Sequence, residues 1–158
     1  MKRLIYCALV ALTLTSCTHQ SSDTEARWPS VIVADSSGTE INSGDLLNGN
    51  RLVVSLWSTW CVPCRRELPQ LQQFAVEHQD VSVVAVNLGD KLDSVAAYAD
   101  EIGLTMPVVI DSEGRISSAL GVTSVPSTIV IDSHGKVIAT HVGEITADEL
   151  AVLVETSS

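Results

Sequence analysis

The sequence predicts an α/β domain in which a mixed sheet is flanked by helices. Three observations carry that prediction. Short, continuous apolar runs alternate with stretches of helical spacing, which is the pattern of strands crossing over through helices. The last two apolar runs are joined across Ser133-His134-Gly135, a hairpin signal, so the sheet is mixed rather than purely parallel. The length, 158 residues, is that of one domain. A chain of this size buries roughly 68–70% of its unfolded surface and needs no disulfide scaffold. Its 4 cysteines are too sparse to form one.

Taken in order, the chain begins Met1-Lys2-Arg3, and an apolar run follows over 4–14. That run is too short for a bilayer, which takes about 20 residues. With its basic start it reads as a secretory signal peptide over 1–16. The sequence Leu14-Thr15-Ser16-Cys17 resembles a bacterial lipobox, in which Cys17 would be acylated and become the new N-terminus. An ordinary export signal with an incidental cysteine is the plainer alternative. Residues 17–27 are polar and aperiodic, a tether from the membrane to a domain over 28–158. Cleavage would take Lys2, Arg3 and Cys7, moving the formal charge from −10 to −12. It would leave Cys17, Cys61 and Cys64, in an extracytoplasmic compartment where disulfides persist.

Within the domain, a short extended run over 31–34 ends at Ser36-Ser37-Gly38. The continuous apolar run 52–57 suits a strand buried on both faces. A helix should start near Cys61–Cys64 and reach about His78, with Pro69 kinking it. Residues 81–87 form a second buried strand. Asp93 is placed to cap a helix running to about Ile102 and closed by Gly103. A third apolar strand over 107–110 precedes an Asp-Ser-Glu-Gly turn, and a short helix over 116–120 stops at Gly121. Strands over 127–132 and 136–142 make the hairpin. Thr146 with Glu149 forms a capping box for a last helix over 147–155. No repeat and no second domain are visible.

The chemistry is concentrated in Trp57-Ser58-Thr59-Trp60-Cys61-Val62-Pro63-Cys64-Arg65-Arg66-Glu67-Leu68-Pro69, where a buried strand turns into a helix. The Cys-x-x-Cys spacing brings both sulfurs onto one helical turn, close enough to bond or separate with little backbone movement. The first sulfur faces unpaired N–H groups and the positive end of the helix dipole, which favour its thiolate. Cys61 would therefore attack a substrate disulfide and Cys64 would resolve the mixed disulfide. A purely structural Cys61–Cys64 disulfide closes so short a loop that it constrains little chain entropy. A zinc half-site lacks a second Cys-x-x-Cys or a closely spaced His pair, so no metal is expected.

Trp-Cys-x-Pro-Cys, Pro69 five residues after the second cysteine, and Val125-Pro126-Ser127-Thr128 together resemble the thioredoxin superfamily. Arg65, Glu67 and the long interval from Cys64 to Pro126 are similar to its extracytoplasmic TlpA/ResA-like branch. The resemblance covers residues 28–154. It implies a thioredoxin-like fold with an αβ insertion after the second core strand, about 88–110. It also implies that Pro126 follows a cis bond and that the Val125 backbone faces the dithiol, where a substrate segment pairs as an extra strand. Trp60 would cover the disulfide and shape the docking surface, with Trp57 in the core.

Ser55 departs from cytoplasmic thioredoxins, which carry a proton-handling aspartate two residues before the position of Trp57. Glu67, near Cys64 on the helix face, is the available carboxylate, expected to tune the cysteine pKa values and relay protons. A solvated helix charge is the plainer reading of Glu67. Arg65 and Arg66 would either stabilise the Cys61 thiolate or remain solvated. His78, His134 and His141 are scattered and take no site.

The resemblance thus implies a membrane-tethered thiol–disulfide oxidoreductase, an enzyme that reduces disulfides in exported proteins, apocytochrome c among its potential targets. Its electrons would come from a membrane thiol-transfer protein, and its redox centre would be the dithiol itself, with no non-protein cofactor. The acidic balance excludes a nucleic-acid binder, which would show basic clusters. A peroxiredoxin-like thiol peroxidase is an alternative, though its Thr-x-x-Cys setting is absent around Cys61. A copper-delivering thioredoxin-fold module is another, since Cu(I) accepts two thiolates.

Overall fold

The computed structural model describes residues 25–157. The expected signal peptide and most of the expected tether, Cys17 included, lie outside the described residues.

Among the described residues, seven strands form one sheet: β1 (Ile32–Asp35), β2 (Glu40–Asn42), β3 (Arg51–Trp57), β4 (Val81–Asn87), β5 (Val108–Ile110), β6 (Ser127–Ile131) and β7 (Val137–Val142). Their order across the sheet is β2-β1-β5-β4-β3-β6-β7. The helices are α1 (Val62–Glu77), α2 (Leu92–Glu101), α3 (Arg115–Ala119) and α4 (Ala147–Thr156). The central strands β3, β4 and β5 are parallel, while β6 runs antiparallel to β3, and β7 to β6. This is the mixed α/β sheet that the alternation of elements and the terminal hairpin predict, in the arrangement that the thioredoxin resemblance implies.

Strand periodicity divides the core in two. Alternate side chains of β3 point to opposite faces, so Val53 and Trp57 join Leu68, Leu71 and Phe74 of α1 and Leu150 and Val154 of α4. Leu52, Val54 and Leu56 instead meet Val84, Val86, Trp28 and Ile116 on the other face. Ser55 has the same parity as Val53 and Trp57, so its hydroxyl lies under α1.

The inserted unit consists of α2 and β5, and β5 fills the sheet position between β4 and β1. Two local expectations are corrected. Asp93 does not cap α2; Lys91 occupies the cap without a side-chain bond, and Asp93 sits in the first turn, where its charge favours the positive end of the dipole. Strand β2 has no counterpart in the expected elements, because three residues with one apolar side chain carry no readable alternation.

Among the described residues, no helix is long and apolar enough to cross a membrane.

Candidate active site

The register of β3 against β6 pairs Leu56 with Ser127, so the carboxyl end of β3 and the start of β6 share one end of the sheet. The Cys61 turn leaves β3 there, and the cis Val125–Pro126 bond enters β6 there. Val142 of β7 pairs with Ser127, and the Gly143 N–H donates to the Pro126 carbonyl at 2.9 Å. The parallel strand β4 brings Asn87 to the same end, opposite Trp57.

Cys61 is the residue that caps α1, and its sulfur accepts from the Cys64 N–H at 3.3 Å. An N-cap acceptor lies among the unpaired N–H groups at the positive end of the helix dipole, so a thiolate there is favoured over the thiol. Pro63 lies in the first turn, where its missing N–H costs the helix nothing. Cys61 and Cys64 form a disulfide, with Cα atoms 5.3 Å apart, and both residues are buried. Among the described residues, no group of three or more His, Cys, Asp or Glu is placed to hold a metal ion.

Glu67 is 1% exposed, so it is not a solvated helix charge. It lies one helical turn beyond Cys64 and is reached from three elements. Ser55 of β3 and Thr128 of β6 are direct cross-strand partners, and both hydroxyls donate to Glu67 Oε1 at 3.1 Å. The Ile145 N–H, just before α4, donates to Oε2 at 3.3 Å. Burial pushes the Glu67 carboxyl above its ordinary range, while the two hydroxyls, the Ile145 amide and the charge of His141 pull it part of the way back. Ser55 thus serves as a donor to an acid that arrives from α1.

Trp60 is 71% exposed, whereas Trp57 is fully buried. With Val62 and Val142, Trp60 is one of the exposed large apolar side chains at this end of the sheet. Both arginines after the cysteines are engaged by acids. Arg66 reaches both carboxylate oxygens of Glu144 at 3.0 and 3.1 Å. Arg65 lies 3.7 Å from Glu101, with its guanidinium 4.5 Å from the centre of the Tyr98 ring. His141 contacts the Glu144 carbonyl at 3.3 Å, and His134 lies in the β6–β7 turn. His78 stacks on Phe74 past the other end of α1.

One supporting network has no signature in the sequence. Asp90 accepts from the Thr59 N–H at 2.6 Å and from Asn87 Nδ2 at 2.9 Å, and its own N–H donates to Asn87 Oδ1. It ties the loop after β4 to the turn that presents Trp60 and Cys61. The only local signal is Asn87-Leu88-Gly89-Asp90, a turn composition that names no partner.

A profile of the Redoxin family matches residues 23–154. The thiol-disulfide oxidoreductase ResA of Geobacillus thermodenitrificans (strain NG80-2) is 34% identical over 124 residues, covering 77% of this chain and 71% of that one. The sporulation thiol-disulfide oxidoreductase A of Bacillus subtilis (strain 168) is 28% identical over 158 residues, with 94% of each chain covered. The crystal structure of StoA from Bacillus subtilis superposes with a TM-score of 0.67 at 28% identity, covering 79% of this chain and 96% of that one.

Proposed function

This chain belongs to the Redoxin family and is a thiol–disulfide oxidoreductase, and from that premise we propose that it reduces disulfides in exported proteins while tethered to a bacterial membrane on its extracytoplasmic (periplasmic) side. The supporting observation is the buried Glu67 carboxylate, one turn after Cys64 and held by Ser55, Thr128 and Ile145. A reductant must deprotonate its second thiol inside a buried site, and a carboxyl raised by burial accepts that proton more readily than an ordinary one.

The Cys61 thiolate attacks one sulfur of the substrate disulfide, forming a mixed disulfide and releasing a substrate thiolate. Glu67 takes the Cys64 proton, and the Cys64 thiolate attacks Cys61, closing the protein disulfide and releasing the second substrate thiolate. Two electrons pass to the substrate, and its thiolates collect two protons. A membrane thiol-transfer protein then returns the Cys61–Cys64 disulfide to the dithiol. Trp60 and the Val125–Pro126 backbone receive the substrate segment, apocytochrome c among the candidates, and lipid on Cys17 holds the domain at the membrane.

Trapping tests the reading. In the full chain with Cys64→Ser, the mixed disulfide cannot be resolved, so exported proteins should accumulate in disulfide linkage to Cys61, and Cys61→Ser should trap none. If no partner is trapped while reductant is supplied, the reading is wrong. Mass spectrometry of the mature N-terminal peptide tests the anchor: an unmodified Cys17 would exclude it.

A further inference from the structure

In an α-helix the carbonyl of residue 65 accepts the N–H of residue 69. Residue 69 is proline and has no N–H, so the helix itself leaves the Arg65 carbonyl without its usual donor, one residue after Cys64. Tyr98 Oη donates to that carbonyl at 3.2 Å. Tyr98 comes from α2, the inserted helix. It is 7% exposed, and its ring centre lies 5.7 Å from that of Trp57, the last residue of β3. On the far side of Pro69, Gln72 of α1 donates to the Gly103 carbonyl at 2.8 Å and accepts from the Thr105 N–H at 2.6 Å. The inserted segment therefore grips α1 on both sides of its proline.

We propose that Tyr98 is a positioning residue for the redox pair, its hydroxyl fixing the first turns of α1 by occupying the carbonyl that Pro69 opens. The inference deepens the thiol–disulfide reading of the same site and rests on it, whichever direction the enzyme runs. In the disulfide form, the Cys61–Cys64 bond holds the first turn covalently. In the dithiol form that bond is gone, and the turn rests on core packing and hydrogen bonds. The disulfide and the Tyr98 bond order the same turn, so each is stronger when the other is present, and the Tyr98 bond stabilises the disulfide form more than the dithiol form. A tyrosine that merely filled the core would stabilise both forms alike and leave their ratio untouched.

The test is the equilibrium of the full chain with glutathione, in which the protein disulfide and two glutathione thiols give the dithiol and one glutathione disulfide. Tyr98→Phe keeps the ring and removes the hydroxyl. It should move the equilibrium about two- to fivefold towards the protein dithiol, within the scale of one net hydrogen bond. Pro69→Ala restores a helical donor to the Arg65 carbonyl, so in that background the shift caused by Tyr98→Phe should fall to less than half. A Tyr98→Phe equilibrium equal to the parent's overturns the proposal. So does a shift that persists in full in the Pro69→Ala background. A parent protein that does not exchange with glutathione at all would instead sink the thiol–disulfide reading, and this inference with it.

Discussion

At the scale of single residues, Glu67 decides how the site handles protons. Its carboxyl is raised chiefly by burial, so the folded protein binds this proton more tightly than the unfolded chain does. The sign follows: the stabilisation is full below the unfolded value of about 4.3 and is lost as pH rises through the higher folded value. Glu67→Gln is neutral throughout and should escape that loss. Urea midpoints of variant and parent should lie closest at acid pH and separate above it, with the variant gaining; midpoints that stay parallel from about pH 4 to 8 would contradict this. The same variant should slow resolution by Cys64 roughly 10²-fold, the usual contribution of a positioned acid or base, and flatten the pH profile of thiol alkylation. Glu67 was legible as the carboxylate nearest Cys64, because helical spacing alone places it one turn on. Its burial was not legible, since Ser55 and Thr128 become neighbours only when β3 pairs with β6.

At the scale of elements, what could be read locally is what is held locally. The capping box of α4 follows from Thr146 and Glu149, and both of its hydrogen bonds are present. Thr146→Ala should cost about 1 kcal/mol, the common value for a lost N-cap. For a domain of this size that is a fall in Tm of about 2–4 °C, checked by thermal unfolding. Ile145, whose N–H serves Glu67, immediately precedes that cap, so the variant's alkylation profile would show whether fraying of α4 reaches the carboxylate. The αβ insertion was readable from its apolar runs, and β5 takes the sheet position beside β4. Its purpose was not readable. Pro69 announces an orphaned Arg65 carbonyl in the sequence, but no pattern along the chain reveals that a tyrosine from the inserted helix answers it. Asp90 is similar: its bond to the Thr59 N–H depends on β3 and β4 being parallel neighbours, which local composition does not specify.

At the scale of the whole molecule, the sheet gathers the parts of the site at one end of a chain that is acidic overall. The formal net charge is −10. The two arginines nearest the cysteines do not offset that field at a distance, because Arg65 faces Glu101 and Arg66 faces Glu144. A disulfide substrate approaching Trp60 therefore meets an acidic molecule well before it meets the sulfurs. Such fields change association rates roughly 10- to 10³-fold, and salt screens them over about 30 Å at 0.01 M and about 8 Å at 0.15 M. Two disulfide peptides of equal length, one lysine-rich and one glutamate-rich, separate this effect from the chemistry. Raising salt from about 0.01 to 0.15 M should slow attack by reduced protein on the basic peptide roughly tenfold and speed attack on the acidic one. Stopped-flow rates of mixed-disulfide formation with Cys64→Ser isolate the first encounter. If both peptides respond to salt in the same direction, the field of the chain does not select its substrates, and selection falls to the apolar contacts of Trp60, Val62 and Val142.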